Sequence, residues 1–142
     1  MRIDIMNLQN KVRISKKGVE KYVKSILKAM GESDAELSLL FVTDLYIKRL
    51  NWKYRRVNSK TDVLAFSMRE GDDIPKDSPI LGDVVVSTET AKREAIKRSR
   101  PVQKEIYLYL VHGILHLLGY DDKKPNDRRK MKLKEEKLLE VL

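Results

Sequence analysis

Apolar and polar positions change period several times along the chain, and each change marks an element. Residues 2–8 alternate, with Ile3 and Ile5 on one side and Arg2 and Asp4 on the other, as in a half-buried strand. Ser15 stands before Val19, Tyr22, Val23, Ile26, Leu27 and Met30, which recur at helical spacing until Gly31 ends the helix. The continuous apolar run at 37–42 suits a buried strand, after which Thr43 and Asp44 cap a short helix carrying Leu45, Ile47 and Leu50. A polar stretch at 51–62 leads into a strand at 63–68. Residues 69–79, which hold Gly71, Pro75 and Pro79, read as a loop and as the part most prone to be floppy. A strand at 81–87 follows, then a helix from about Ser87 to Arg98 with Glu89 in its first turn. Pro101 opens a strongly apolar helix that reaches Leu118, proline being tolerated at a first helical position. A last, charged helix starts near Asn126 and runs to the end. With no internal repeat, this tally predicts one α+β domain over residues 1–142: a mixed sheet of about four strands covered by about five helices.

Charge and composition narrow the partners. The 142 residues carry 30 Lys+Arg against 21 Asp+Glu, a formal net charge of +9, which favours nucleic acid over a membrane surface. Cysteine is absent, which excludes disulfide frameworks, thiolate zinc sites and cysteine nucleophiles. No apolar run approaches the roughly 20 residues of a membrane span, and the first ten residues lack a signal-peptide core. A soluble, cytoplasmic protein is the expectation.

The chemistry concentrates in VHGILHLLGYDD. His112 and His116, the only two histidines, are one helical turn apart and can reach a single ion. Two neutral imidazoles favour zinc, with nickel or copper behind it. Gly119 permits a sharp turn that brings Asp121 or Asp122 back towards the imidazoles, and Asp122 has the spacing of the third ligand in the extended HExxHxxGxxH motif. Two histidines, one carboxylate and an open fourth position make a catalytic rather than a structural site. A lone histidine on an apolar helix is usually a packed core residue, but a pair at ligand spacing before a glycine turn and two carboxylates favours the metal. Gly113 occupies the place of the zincin general base, so peptide hydrolysis drops down the list.

His112-Gly-Ile-Leu-His116-Leu-Leu-Gly119-Tyr120-Asp121 resembles the HGxLHLxGYDH signature of the YbeY endoribonuclease family of rRNA maturation factors. Asn51-Trp-Lys-Tyr54-Arg55 is similar to that family's N-x-x-Y-R, residues 61–66 to its TDVLSF, and Gly82-Asp83-Val84 to its GD[IV]. The blocks keep their order over roughly residues 50–123. The resemblance implies an α+β metalloprotein that cleaves single-stranded RNA with one zinc ion. It also implies action on rRNA precursors, in contact with the ribosome or small-subunit components, during maturation and quality control. The family's three histidine ligands carry over onto His112, His116 and, at the third place, Asp122, and its arginine onto Arg55. Asp122 is thus a departure: it lowers the charge of the site and leaves a bound water less acidic than three histidines would. Ala65 and Ser67 depart from the family's Ser and Pro without touching the metal.

Basic groups flank these motifs. Residues 48–60 hold Lys48, Arg49, Lys53, Arg55, Arg56 and Lys60 and no acid, with Trp52 and Tyr54 interleaved, and residues 92–104 hold six more against Glu94. Such groups neutralise phosphates while aromatic faces stack on unpaired bases. Lys53, Arg55, Arg56 and Lys60 are therefore the expected RNA contacts. Arg55 and His112 are the expected catalytic pair, with Arg55 clamping the scissile phosphate. Asp121 and Asp83 are candidates to orient a ligand imidazole, although for Asp83 a turn or strand-end role is favoured. Two rival readings stay open: an RNA- or ribosome-binding assembly factor with a structural or vestigial metal, and a zincin-like hydrolase of a non-RNA substrate.

Overall fold

A computed structural model describes residues 1–70, 75 and 78–140. Strands β1 (Arg2–Asn7), β2 (Glu36–Val42), β3 (Val63–Ser67) and β4 (Ile80–Ser87) form one mixed sheet in the order β1-β2-β4-β3. β1, β2 and β4 run parallel, and β3 lies antiparallel along β4 as an edge. Helices α1 (Lys16–Ala29), α2 (Asp44–Arg55), α3 (Thr88–Lys97), α4 (Val102–Leu117) and α5 (Pro125–Leu139) complete the α+β fold.

Strand parity divides the core. Leu37, Leu39 and Phe41 of β2 and Val84 and Val86 of β4 point to one face, where they pack with α1 and with Leu110 and Ile114 of α4. Val42, Val85 and Leu64 point the other way, where Ile47 of α2 covers them. This two-sided burial explains why the strand runs read as continuous rather than alternating. A register shift beside Leu37 inserts Leu81 as an extra residue in β4 and turns it into the larger core cluster. Gly82, next to it, has φ +138, and a Cβ there would lie 2.0 Å from the Phe66 carbonyl oxygen.

Several boundaries differ from the sequence expectation, most by a single residue. The helix after Thr43 continues through Arg55 instead of giving way to a loop at Asn51. Asn51 is buried and donates from Nδ2 to the Ser59 carbonyl (3.0 Å), so a polar side chain occupies a core-facing helical position and hides the period. The helix stops at Arg56, whose φ of 59 is left-handed. β1 ends at Asn7, and the last helix begins one residue earlier than Asn126, with Pro125 in its first turn. Arg69 and Ser78, near the two ends of the expected 69–79 loop, are tied together by Arg69 Nε to the Ser78 carbonyl (2.8 Å), and Arg69 also forks onto Glu32. Residues 71–74 and 76–77 of that loop, and 141–142 at the end of the expected last helix, lie outside the described residues. Among the described residues no helix is long and apolar enough to cross a membrane.

Candidate metal centre

The site is built at the C-terminal end of α4. Pro101 starts this helix without a side-chain cap, and its apolar faces bury Leu110, Val111, Ile114 and Leu115, which fixes the rotation of the helix on the sheet. His112 and His116, one turn apart, are thereby turned towards β3 and the loop after the helix. α4 lies so close to the sheet that a Cβ on Gly113 would come within 2.6 Å of Val84 Cγ1. A glutamate cannot occupy that place without displacing the core, which gives a steric reason for the missing zincin base.

Gly119, with φ +96, ends the helix: its N–H donates to the His116 carbonyl (3.0 Å) and the Tyr120 N–H to the Leu115 carbonyl (3.0 Å). This paired pattern reverses the chain within two residues. Asp122 returns to the imidazoles as a result.

His112 Nε2 and His116 Nε2 are 3.1 Å apart, and Asp122 Oδ2 lies 3.5 Å from the first and 3.6 Å from the second. The carboxylate is too distant to be hydrogen-bonded to either ring. Two ligand atoms about 2.0–2.1 Å from a tetrahedral zinc ion sit about 3.3 Å from each other, and all three edges fall near that value. The donor set, two neutral nitrogens and one carboxylate oxygen, fits a zinc-like cation with a fourth position left for a non-protein ligand.

The orienting partner is not one the sequence reading named. Among the described residues neither Asp121 nor Asp83 is bonded to an imidazole. Asp121 instead accepts the Lys123 N–H (3.1 Å) in a local turn, and Asp83 lies within β4 opposite Phe66. Glu135 of α5 fills the role: its Oε1 takes a hydrogen bond from His112 Nδ1, leaving the Nε2 lone pair for the ion. Glu135 is only 14% exposed. Burial pulls the His112 pKa down, but the bond to Glu135 and the charges of Glu135, Asp122 and Asp62 outweigh it and raise the pKa above the usual histidine range. The signal for Glu135 was legible: it lies between Met131 and Leu138, the two buried residues of α5, so an acid interrupts an apolar stripe. α5 also reaches the third ligand, because Arg128 Nε donates to the Asp122 carbonyl (3.2 Å).

The triangle opens into a concavity of about 630 Å³ lined by Arg55, Thr61, Asp62, Ala65 and Lys123 beside the two histidines. Arg55 leaves the end of α2 and rounds the β3 edge, where Nη2 donates to the Ala65 carbonyl (2.9 Å) and the guanidinium lies 5.7 Å from the Phe66 ring centre. Tyr54 packs edge-on against the same ring. Lys60 lines a second concavity that also reaches His112. Lys53 and Arg56 line neither; they stay on α2 and the residue after it, over the rings of Tyr54 and Trp52 respectively. Of the expected contacts, therefore, Arg55 shares a concavity with both histidines and Lys60 one with His112, while the other two stand off on the exposed surface.

The family model described as Endoribonuclease YbeY matches residues 4–142. A relative from Desulforamulus reducens named Endoribonuclease YbeY is 41% identical over all of this chain and 97% of its own length. One from Syntrophotalea carbinolica with the same name is 40% identical over 96% of this chain and 92% of its own. The solution structure of a Thermotoga maritima protein superposes with a TM-score of 0.70 at 27% identity, covering 97% of this chain and 87% of that one.

Proposed function

The chain belongs to the endoribonuclease YbeY family, and from that premise we propose a zinc-dependent endoribonuclease that cuts single-stranded RNA, acting on rRNA precursors and ribosome-bound RNA in the cytoplasm. Maturation of rRNA ends and quality control of ribosomes are the roles this reading assigns to it, with small-subunit components as partners. The observation that carries it is the His112–His116–Asp122 triangle opening onto a cleft with Arg55 on its wall.

His112, His116 and Asp122 would hold the ion, which when bound supplies Lewis acidity towards a phosphate oxygen and towards water. Glu135 keeps His112 in the tautomer and orientation that a ligand needs. Arg55 has one donor committed to the Ala65 carbonyl, which fixes the guanidinium and leaves its remaining N–H groups to grip the scissile phosphate and the charge that develops on it. Lys123 and Lys60 draw the anionic strand towards the cleft, and Lys53 and Arg56 extend that field along α2.

The test is cleavage of an unpaired oligoribonucleotide and its duplex by purified protein, with and without a chelator, beside His116→Ala and Arg55→Ala. The expected result is cleavage of the unpaired strand alone, abolished by the chelator and restored by zinc. His116→Ala should be inactive, and Arg55→Ala slower by about 10²–10³, the cost of removing one charge-stabilising donor. Analysis of the new ends separates water from the ribose 2′-OH as nucleophile, because the latter leaves a cyclic phosphate. Binding of RNA without turnover would favour the assembly-factor reading. Persistent cleavage in His116→Ala would remove the triangle from the mechanism.

A further inference from the structure

His112 lines two adjoining concavities. The first, described above, holds Arg55; the second, of about 640 Å³, shares Thr61, Asp62, Val63 and His112 with it. Both are within the size range of ligand sites, roughly 300–1,000 Å³. An enzyme that cuts inside a strand must let the chain leave on both sides of the broken bond, whereas a single blind pocket would suit an end-directed or small-molecule hydrolase.

The second concavity has the charge for a phosphate backbone. Lys60 stands on one wall and Arg93, Lys97 and Arg98 of the α3 segment on the other, against the acids Asp62 and Glu94. Two of the cations are fixed by the fold: Arg93 donates to Asp44 (2.7 Å), and Arg98 lies 3.5 Å from the wholly buried Glu105. Lys97 is the most exposed of the three α3-segment cations, its side chain 72% exposed against 45% for Arg93 and 47% for Arg98, and it pairs with Glu94 at 3.5 Å. Asp62 lines both concavities, and its Oδ1 accepts the Val63 N–H (2.7 Å). The remaining acid on the lining, Glu135, is engaged with His112.

We propose that this second concavity is a subsite for the strand on the far side of the scissile bond, its phosphates running along α3 with Lys97 as the exposed contact and Arg98 and Arg93 as fixed positive charges behind it. The assignment rests on the single-strand RNA reading above and extends it, giving the substrate a path through both concavities and across His112.

The experiment compares Lys97→Glu, Lys97→Ala and Lys97→Arg with a charge-matched control, Lys21→Glu on α1, in the zinc-loaded protein. Affinity and kcat/KM are measured for a long unpaired oligoribonucleotide and for a dinucleotide, over a range of salt. Lys97→Glu should weaken the long RNA about tenfold more than the dinucleotide. Lys97→Ala should lower the salt slope by about 0.7, the value of one phosphate contact on a single strand. Lys97→Arg should restore binding. Equal effects on both RNAs, or no difference from Lys21→Glu, would overturn the subsite while leaving the cleavage reading intact. Wild-type protein that neither binds nor cuts RNA would instead defeat the reading on which it stands.

Discussion

The ligand corner and the far end of α2 both carry residues singled out by their chemistry, yet the fold treats them in opposite ways. At the corner each group is held from several directions: the rotation of α4, the Gly119 turn, the bond that His112 donates to Glu135 and the grip of Arg128 on the Asp122 carbonyl. At the end of α2, Trp52 and Tyr54 are 50% and 59% exposed, with Lys53 and Arg56 laid over their rings. A fixed ligand geometry is what one cation at a defined distance requires. A strand with many equivalent phosphates is served by mobile charges that average over its conformations. Single substitutions should accordingly act as near all-or-none events at the corner and as small, additive losses at Lys53 and Arg56.

The largest effect should come from His116→Ala. Wild-type protein is expected to bind one zinc ion, to be stabilised by about 2.7 kcal/mol at a hundredfold excess over the dissociation constant, and so to melt higher when loaded. The variant should bind none with comparable affinity and show no zinc-dependent shift. Metal content of the isolated protein together with paired melting curves measures this. A zinc shift preserved in the variant would place the ion elsewhere and dissolve the contrast at its stronger end.

Glu135→Gln comes next. Loss of a carboxylate behind a ligating imidazole typically weakens metal affinity about 10–100-fold. Competition against a chromophoric chelator would read that loss, while the metal-free melting temperature reports whether α5 still docks through Met131 and Leu138. Weakened affinity with unchanged metal-free stability assigns Glu135 to the ion. Unchanged affinity would mean that the contact only packs α5 against α4.

What was legible in the sequence follows the same division. The two-sided burial of β2 and β4, the helical spacing of α1 and α4, and the Gly119 stop each leave a periodic or a residue-specific mark. Hence the α+β fold and the proximity of His112, His116 and Asp122 could be read before any coordinate. Glu135 left only the faint mark of an acid in a short apolar stripe, and the contact it makes spans 23 residues of chain. The continuation of α2 was hidden because Asn51 stands where an apolar residue would have kept the period. Asp121 was named as an orienting group from its closeness in sequence, but a residue beside a tight turn is first taken up by the turn itself, as its bond to the Lys123 N–H shows.

α2 sharpens the contrast within one element, since Asp44 at its start is held as firmly as Lys53 near its end is exposed. Ser87 and Thr90 both donate to Asp44 Oδ1 at 2.7 Å and Arg93 to Oδ2 at 2.7 Å, joining the starts of α2 and α3. Burial alone would push the Asp44 carboxyl up, but the bonds from Arg93, Thr90 and Ser87 and the Arg93 charge bring it down to about 2. A carboxylate depressed on folding stabilises the native state above its unfolded pKa of about 3.9, and that stability is lost as pH falls through the folded value. On the order of 2 kcal/mol should therefore disappear between about pH 4 and pH 2. Denaturant midpoints across this range should fall more steeply in wild type than in Asp44→Asn, which should be less stable at neutral pH and nearly level with wild type in acid. Parallel curves would mean that the cluster holds no charge-dependent stability.

The smallest effects belong to Lys53→Ala and Arg56→Ala. Neither side chain is buried, and removing either should shift stability by no more than about 0.5 kcal/mol. Trp52 is the only tryptophan, so its emission reports this surface alone. Unpaired RNA stacking there should quench it, with half of the full quench reached at the concentration that half-saturates cleavage. Each substitution should weaken that binding about two- to threefold and lower the salt slope by about 0.7, and the double variant should show the product of the two losses. Multiplication is the decisive feature, because independent phosphate contacts on mobile side chains add in free energy, whereas members of a fixed site do not. A double variant no worse than either single one would mean that Lys53 and Arg56 act as one unit, and the end of α2 would then belong with the ligand corner rather than opposite it.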